Sequence, residues 1–543
     1  MIPLLHRSLL PALALCGLAA AAPAQSTERV SVSTAGVEAD LECGSPSINA
    51  NGRWVAFASA ATTLVAGDAN GVSDVFVRDR ISLLTERASV GMGGVEGNGA
   101  SWDPFLSTDG RYVAFTSAAD NLVGGDVNGV EDVFLHDRFT GTTLRVCLNS
   151  IGLAANGASS SASVSGDGRM VAYDSVADNL VLGDGNSVRD VFVRDRTSGA
   201  TVRVSVNSLG GEANGPSSRP SISSDGRFVA FESDADNLVP NDVNQLRDVF
   251  VHDLLTGTTV LASAGLSGAA SNGASERASI AASGRFVAFE SVADNLVPAD
   301  ANGCADVFVR DTLSGVTTRA SVDSSGLEGD APSHNPFIAA GARYVTFDSE
   351  ATNLVAGDTN GVTDVFCRDR LRGATTRASL STSGLEGNGA STEPAISSDC
   401  RYVAFASAAD GLVAGDINAV TDVFVRDRDL LAAVTVDTIV LSADVFLRTG
   451  QSARFSWCGA PPNTPWWMLY STANLGTTFG GHPFGLGPGI SVLTSGTHAS
   501  TGGASLNTPL IPPAFAGATV YLEVAAQLGA DYYESNTVQR IVQ

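Results

Sequence analysis

The tripeptide Asp-Val-Phe recurs seven times at a fixed interval of 58 residues, beginning at Asp74, Asp132, Asp190, Asp248, Asp306, Asp364 and Asp422. A period of this length, held without insertion or deletion, restricts the fold to stacked supersecondary units: solenoids, propellers or arrays. The content of one period decides among them. In the third copy, Ser163-Val164-Ser165 reads as a short strand and Gly166-Asp167-Gly168 as a tight hairpin turn. Arg169 to Ser175 reads as a second strand, and a third begins at Asp190. Thr197-Ser198-Gly199 then turns the chain into a fourth, Thr201 to Asn207, where Val202, Val204 and Val206 alternate with polar residues. Four antiparallel strands per unit with no helical pattern specify propeller blades. The expected fold is all-β: a seven-bladed β-propeller over residues 25–437, followed by a small β-sandwich over 438–543, where short alternating runs lie between Gly- and Pro-rich turns.

A single blade leaves two apolar faces uncovered, so the units need neighbours and finally a closed ring. Arg29-Val30-Ser31-Val32 lies 58 residues before Arg87 and reads as a fourth strand without a blade of its own. It is expected to complete the seventh blade by main-chain hydrogen bonds. Ala433 to Thr438 competes for that position, but lacks the Arg and the Ser-x-Gly sequel of the other copies.

One full copy reads Pro220-Ser221-Ile222-Ser223-Ser224-Asp225-Gly226-Arg227-Phe228-Val229-Ala230-Phe231, then Asp248-Val249-Phe250-Val251-His252-Asp253 and Thr256-Gly257. This resembles the WD-like repeat of the bacterial, exported TolB-type β-propellers, over roughly residues 26–432. The resemblance implies the propeller fold. No counterpart of that family's amino-terminal domain is expected before the first strand.

Residues 1–24 read as a signal peptide, with His6 and Arg7 ahead of an apolar run from Leu9 to Ala22 and small residues at Ala22-Pro23-Ala24. Export to the periplasm, cell surface or extracellular space is therefore expected. No later run approaches the ~18 apolar residues of a transmembrane segment. The formal charge of -25 disfavours nucleic acid and anionic lipid as partners. All 32 basic residues are Arg, which excludes Schiff-base and phosphate-loop lysines. After removal of the signal, Cys43, Cys147, Cys304, Cys367, Cys400 and Cys458 remain; no two share a repeat position, and they read as unpaired small residues. A monomer is expected.

The most distinctive motif is Asp-x-Asn-x-x-x-Asp, present as Asp68/Asn70/Asp74, Asp126/Asn128/Asp132, Asp184/Asn186/Asp190, Asp242/Asn244/Asp248, Asp300/Asn302/Asp306, Asp358/Asn360/Asp364 and Asp416/Asn418/Asp422. Two readings follow. Asp and Asn side chains fix loops by bonding nearby backbone amides, or the three oxygens bind calcium, a hard cation that seeks oxygen. The expectation is a structural role and no cofactor, with calcium as the alternative. Upstream, a Leu-Val pair such as Leu64-Val65 recurs in every copy and should pin each loop to its blade. The Phe of each tripeptide is expected in the core, and Asp79 and its equivalents at the last hairpin turn.

No catalytic residue is expected. His136, His252, His334, His482 and His498 join no recognisable metal or nucleophile motif, and no blade gains a charged cluster that departs from the repeat. The expected function is a noncatalytic scaffold binding protein or glycan at the acidic loop-rich face, in or near the cell envelope. A calcium-dependent adhesion module is one alternative. A polysaccharide hydrolase or lyase is the other, through carboxylates meeting across the central channel.

Overall fold

The computed structural model describes residues 25–428, apart from 241, 267 and 269, and the backbone of ten strands between Val440 and Ile541. Seven four-stranded antiparallel sheets follow one another at the repeat spacing. The first blade comprises Cys43–Ile48, Trp54–Ser59, Asp74–Asp79 and Leu84–Arg87. The seventh comprises Ser391–Ile396, Tyr402–Ser407 and Asp422–Asp427, with Ser26–Arg29 paired onto it as a fourth strand. That last pairing is antiparallel, Ser26 opposite Asp427 and Arg29 opposite Phe424. The rival segment Ala433 to Thr438 and the signal residues 1–24 lie outside the described residues. From Val440 onward the strands form sheets of three, five and two strands; whether these pack as the expected sandwich also lies outside them.

The alternation within Asp-Val-Phe-Val explains how blades stack. Val75 and Val77 point to one face of the first blade and Phe76 to the other. Ala56, Val75 and Val77 then pack against Phe115 and Phe134 of the second blade, a small-residue face against an aromatic one. Around the ring this repeats until Val423 and Val425 of the seventh blade meet Phe57 and Phe76 of the first. The ring is thus a seven-bladed propeller. In every blade two aromatic rings from neighbouring strands sit 5.8–6.0 Å apart, as in Phe57–Phe76 and Tyr173–Phe192. All are buried, each burial contributing about 1.5–3 kcal/mol. Leu64, Leu122, Leu180, Leu238, Leu296, Leu354 and Leu412 are buried too, anchoring the long second-to-third-strand connections.

Strand limits differ from the sequence reading at both edges of the blade. In the third blade the first strand is Ser159–Val164, starting four residues earlier, because a bulge at Ser161 (φ 56°) shifts register and lets the strand continue toward the loop face. The fourth strand, Ala200–Arg203, stops before Val204. There the Ser205 hydroxyl accepts the Val191 amide at 3.1 Å, taking the place of a ladder carbonyl. Val206 turns away to bridge Glu212.

The hairpin aspartates do more than close turns. The Leu255 amide and the Thr256 hydroxyl donate to the Asp253 carboxylate, each at 2.9 Å. Arg227 also donates to it through Nε at 2.8 Å and Nη2 at 2.7 Å. The same two-pronged clasp spans the second and third strands of every blade, from Arg53–Asp79 to Arg401–Asp427.

Candidate functional site

The Asp/Asn/Asp motif closes one polar cluster in each blade. In the first, Asn70 donates to Asp74 and to the Gly97 carbonyl, each at 2.9 Å, and its own oxygen receives the Val72 amide. Asp74, fully buried, also accepts from Ser89 and Arg87. In this blade Asp74 therefore bonds side chains, where the sequence reading assigns backbone amides, and Asn70 serves the loop backbone.

The calcium alternative counts the asparagine oxygens among its ligands. Asn128, Asn186, Asn244, Asn302, Asn360 and Asn418 turn the amide nitrogen, not the oxygen, toward the aspartate pair. Each donates to the next aspartate of its motif (Asp132, Asp190, Asp248, Asp306, Asp364 or Asp422) at 2.6–2.9 Å. Each also donates to a carbonyl of the neighbouring loop at 2.9–3.2 Å. Their oxygens point the other way and accept the main-chain amide two residues on. As arranged here, the amide N–H groups of the asparagines rather than their oxygens face the aspartates.

The participant absent from the motif is the arginine that ends the fourth strand. Arg87 Nη1 lies 3.0 Å from Asp74, 3.6 Å from Asp68 and against Glu96. Asp68, Asp74 and Glu96 form a group with the donor set of a metal site, and the guanidinium occupies its centre. Arg145 sits likewise between Asp126 and Asp132, and Arg203 between Asp184 and Asp190. Arg319 bridges Asp300 and Asp306, and Arg377 bridges Asp358 and Asp364. Arg29, from the amino-terminal strand, does so in the seventh blade, 2.9 Å from Asp416 and 3.1 Å from Asp422. In the fourth blade the position is Leu261. Burial pushes the Asp68, Asp184 and Asp242 carboxyls up to about 6, in the first two against the pull of the adjacent arginine.

A second arrangement lies at the channel. The first strands of all seven blades form its wall, each touching the next. At one end Ile48, Leu106, Val164, Ile222, Ile280, Ile338 and Ile396 converge around a space of about 90 Å³. Main-chain bonds narrow that end further, Ala50 to Thr108, Thr108 to Gly166 and Gly166 to Ser224. First strands start, and second strands end, at the opposite end, on the face carrying the long loops. There the bulge places Ser45, Asp103, Ser161, Arg219, Arg277, Asn335 and Glu393 at φ between 49° and 56°. Non-glycine residues rarely adopt this conformation, and a bulge re-aims the side chain it carries.

Charge is unevenly distributed around this mouth. At one second-strand position the third to sixth blades carry Asp174, Glu232, Glu290 and Asp348, all buried, whereas the first, second and seventh carry Ala58, Thr116 and Ala406. Each carboxylate reaches across to the bulge of the next blade. The amides of Arg219, Arg277, Asn335 and Glu393 donate to Asp174, Glu232, Glu290 and Asp348 at 3.0, 2.9, 2.9 and 2.9 Å. Glu393 passes the pattern on, accepting the Ser45 amide at 2.7 Å. Cations balance the acids: Arg189 on Asp174, Arg247 at 3.6 Å from Glu232, Arg277 at 3.4 Å and His334 at 3.5 Å from Glu290. The Glu290 hydrogen bond raises the His334 pKa. Asp103 is exposed at the mouth, yet the surrounding protein, with the charge of Glu393, raises its carboxyl.

The sequence reading held that no blade departs from the repeat by gaining a charged cluster. The third to sixth blades do so, because residues far apart in the chain converge at the channel. The signal was present as variation at Ser45, Ala58, Ser73 and their equivalents inside an otherwise constant frame. His136 and His252 stay structural, buried with Nδ1 2.9 Å from Thr143 and Thr259. Cys43, Cys147, Cys304 and Cys367 are free thiols. Two larger clefts, about 740 and 840 Å³, lie between outer strands; their linings mix residues kept in every blade, such as Thr375 and Thr143, with positions that vary from blade to blade.

No family model matches the chain, and no curated protein does. Among solved structures it is similar to a protein assigned as TolB from Agrobacterium tumefaciens, at 17% identity over 51% of this chain and 79% of that one, TM-score 0.32. It is also similar to the periplasmic gluconolactonase of Pseudomonas aeruginosa, at 16% identity over 62% and 84%, TM-score 0.30. A third is the GH74 xyloglucanase of Xanthomonas campestris, at 10% identity over 91% and 78%, TM-score 0.30. The fold assignment rests on the strand pairing of this chain itself.

Proposed function

We propose that this chain is an exported binding module that holds a polar ligand, a protein segment or a glycan, at the open mouth of its channel, without converting it. The observation that carries this reading is the charged arc of the third to sixth blades, a departure from the repeat that gathers charge on one side of the channel mouth. Its side chains are fixed before any ligand arrives, because carboxylates tie each bulge to the preceding blade. Such preorganisation reduces the ordering free energy of binding. Both charge signs and several amide and hydroxyl groups suit a hydroxyl-rich or zwitterionic partner, and the aliphatic closure opposite means that it enters and leaves from the loop face.

The test is capture from an envelope extract and on a glycan array, comparing the native chain with Arg277→Ala and Glu393→Ala. At least tenfold weaker capture by both variants is expected. Equal capture by both removes the channel mouth as the binding site.

A hydrolytic reading draws on one specific observation, the Asp103 carboxyl raised by desolvation at the channel mouth, since a carboxyl that keeps its proton can serve as a general acid. Release of reducing ends from any polysaccharide, abolished by Asp103→Asn, would replace binding by catalysis. The amino-terminal strand is the proposed latch of the ring. Deleting residues 26–34 bares the edge of Asp422–Asp427 and removes Arg29 from Asp416 and Asp422. Faster proteolysis is expected; an unchanged digest would transfer the latch to Ala433 to Thr438.

A further inference from the structure

Six blades place an arginine between the two aspartates of the loop motif, and the fourth does not. Its equivalent residue is Leu261, and the glutamate that supports the arginine in most blades is Ala270. The aspartates are retained all the same. Asp248 is fully buried and accepts from Asn244 at 2.6 Å, Ser263 at 2.5 Å and Ser271 at 3.0 Å. Asp242 is only 4% exposed, and among the described residues neither of its carboxylate oxygens has a partner in hydrogen-bond geometry; the Asn244 main-chain amide is merely near enough to favour the charged form. In the other six blades the corresponding aspartate lies 2.9–3.6 Å from the arginine.

A buried carboxylate without a counter-charge is strongly unfavourable, and a second carboxylate beside it makes matters worse. Repeats evolve by copying, and the simplest repair of a lost arginine is loss of the aspartate it paired with. Here the whole Asp242/Asn244/Asp248 set remains, with Ser271 added where other blades carry Gly or Ala. The side chains lost are the ones that would fill or screen the cation position.

We propose that the fourth blade is a cation site in which a hard divalent ion, calcium, takes the place of the arginine, held by Asp242 and Asp248 with waters completing the oxygen shell. The ion is single: the other six positions carry their own guanidinium. Its role is structural, neutralising the loop as arginine does elsewhere. Two protein carboxylates and no distal acidic partner place its affinity in the weak range of extracellular modules, roughly 0.1–1 mM.

The experiment uses the chelator-treated full chain, with thermal unfolding followed as calcium chloride rises to about 10 mM, well above that range. A ligand bound only by the folded state raises the melting temperature. The native chain should show a rise that saturates, and magnesium should give less. Leu261→Arg, which copies the other blades, and Asp242→Asn should each melt higher than the native chain in chelator and respond no further to calcium. The conservative Asp242→Asn serves alone if Leu261→Arg does not fold. A native melt unmoved by calcium overturns the proposal, and so does a rise that persists undiminished in either folded variant. Stabilisation of the native chain by mild acid, with no calcium response, would mean that a proton is the cation. Capture at the channel mouth is read separately, so either result stands without the other.

Discussion

The outer frame of each blade and the channel mouth obey opposite rules. In the frame, the aromatic pairs, the arginine–aspartate clasps and the buried Leu of the loop recur in every blade at nearly constant geometry. At the mouth, side chains change from blade to blade and charge collects on one side. Packing between identical blades must be solved once and then copied, since a face that fits one neighbour fits all. A ligand has no sevenfold symmetry, so the residues that would meet it are released from the copying.

Substitutions should separate the two regions. Phe192→Ala in the frame removes a fully buried ring stacked 6.0 Å from Tyr173 and is expected to lose about 3–5 kcal/mol by denaturant unfolding. A loss under about 1 kcal/mol would show that the interblade core is not where stability resides. Arg227→Ala should lose less, about 0.5–1 kcal/mol at neutral pH, because the guanidinium is 40% exposed and partly screened. That loss carries a pH signature. Desolvation raises the Asp253 pKa, but the Arg227 bonds and the turn donors outweigh it and bring it down to about 2. The clasp's contribution is therefore complete above the ordinary carboxyl pKa near 4 and fades as pH falls toward 2. The gap between native and variant melts should shrink over that window; a constant gap would mean the charge pair is not its source.

Asp174→Ala tests the mouth by giving the third blade what the first and seventh have at that position. About 1 kcal/mol is expected, since Arg189 is partly exposed and free to turn to water, while capture of the ligand weakens. A loss as large as that of Phe192→Ala would make the carboxylate part of the frame. The smallest effect is spectroscopic. Glu290 raises the His334 pKa, so the imidazolium persists above the ordinary value near 6.5. Glu290→Gln should lower it in an NMR titration, and an unmoved curve would break the contact.

Much of the frame is legible in the chain. The 58-residue interval gives the blade count, the Val-Phe-Val alternation gives the two packing faces, and Gly-rich turns place the hairpins. Strand ends are less legible. The bulge at Ser161 and the hydroxyl of Ser205 replace main-chain pairing with geometry that periodicity does not encode. The Asp/Asn/Asp motif stood out at once, but its partner did not: Arg87 follows Asp74 by thirteen residues, on a different strand, and only antiparallel pairing brings it back. Nor does the motif say which end of each asparagine amide faces the aspartates, since that depends on the carbonyl of the adjoining loop, such as Gly97 for Asn70. Leu261 ends its strand as an apolar residue, and nothing nearby in the chain marks the ion pair that it lacks.

The sequence by itself determined the unit, its number and its inward faces, because local alternation and a fixed period suffice to define how one sheet covers the next. Tertiary structure decided which polar side chains meet. Hydrogen bonds and ion pairs depend on distances of a few ångströms between residues on different strands, thirteen positions apart for Asp74 and Arg87 and 45 for Asp174 and the Arg219 amide. Antiparallel pairing within a blade joins the first pair, and only the ring of adjoining blades joins the second, at the channel mouth.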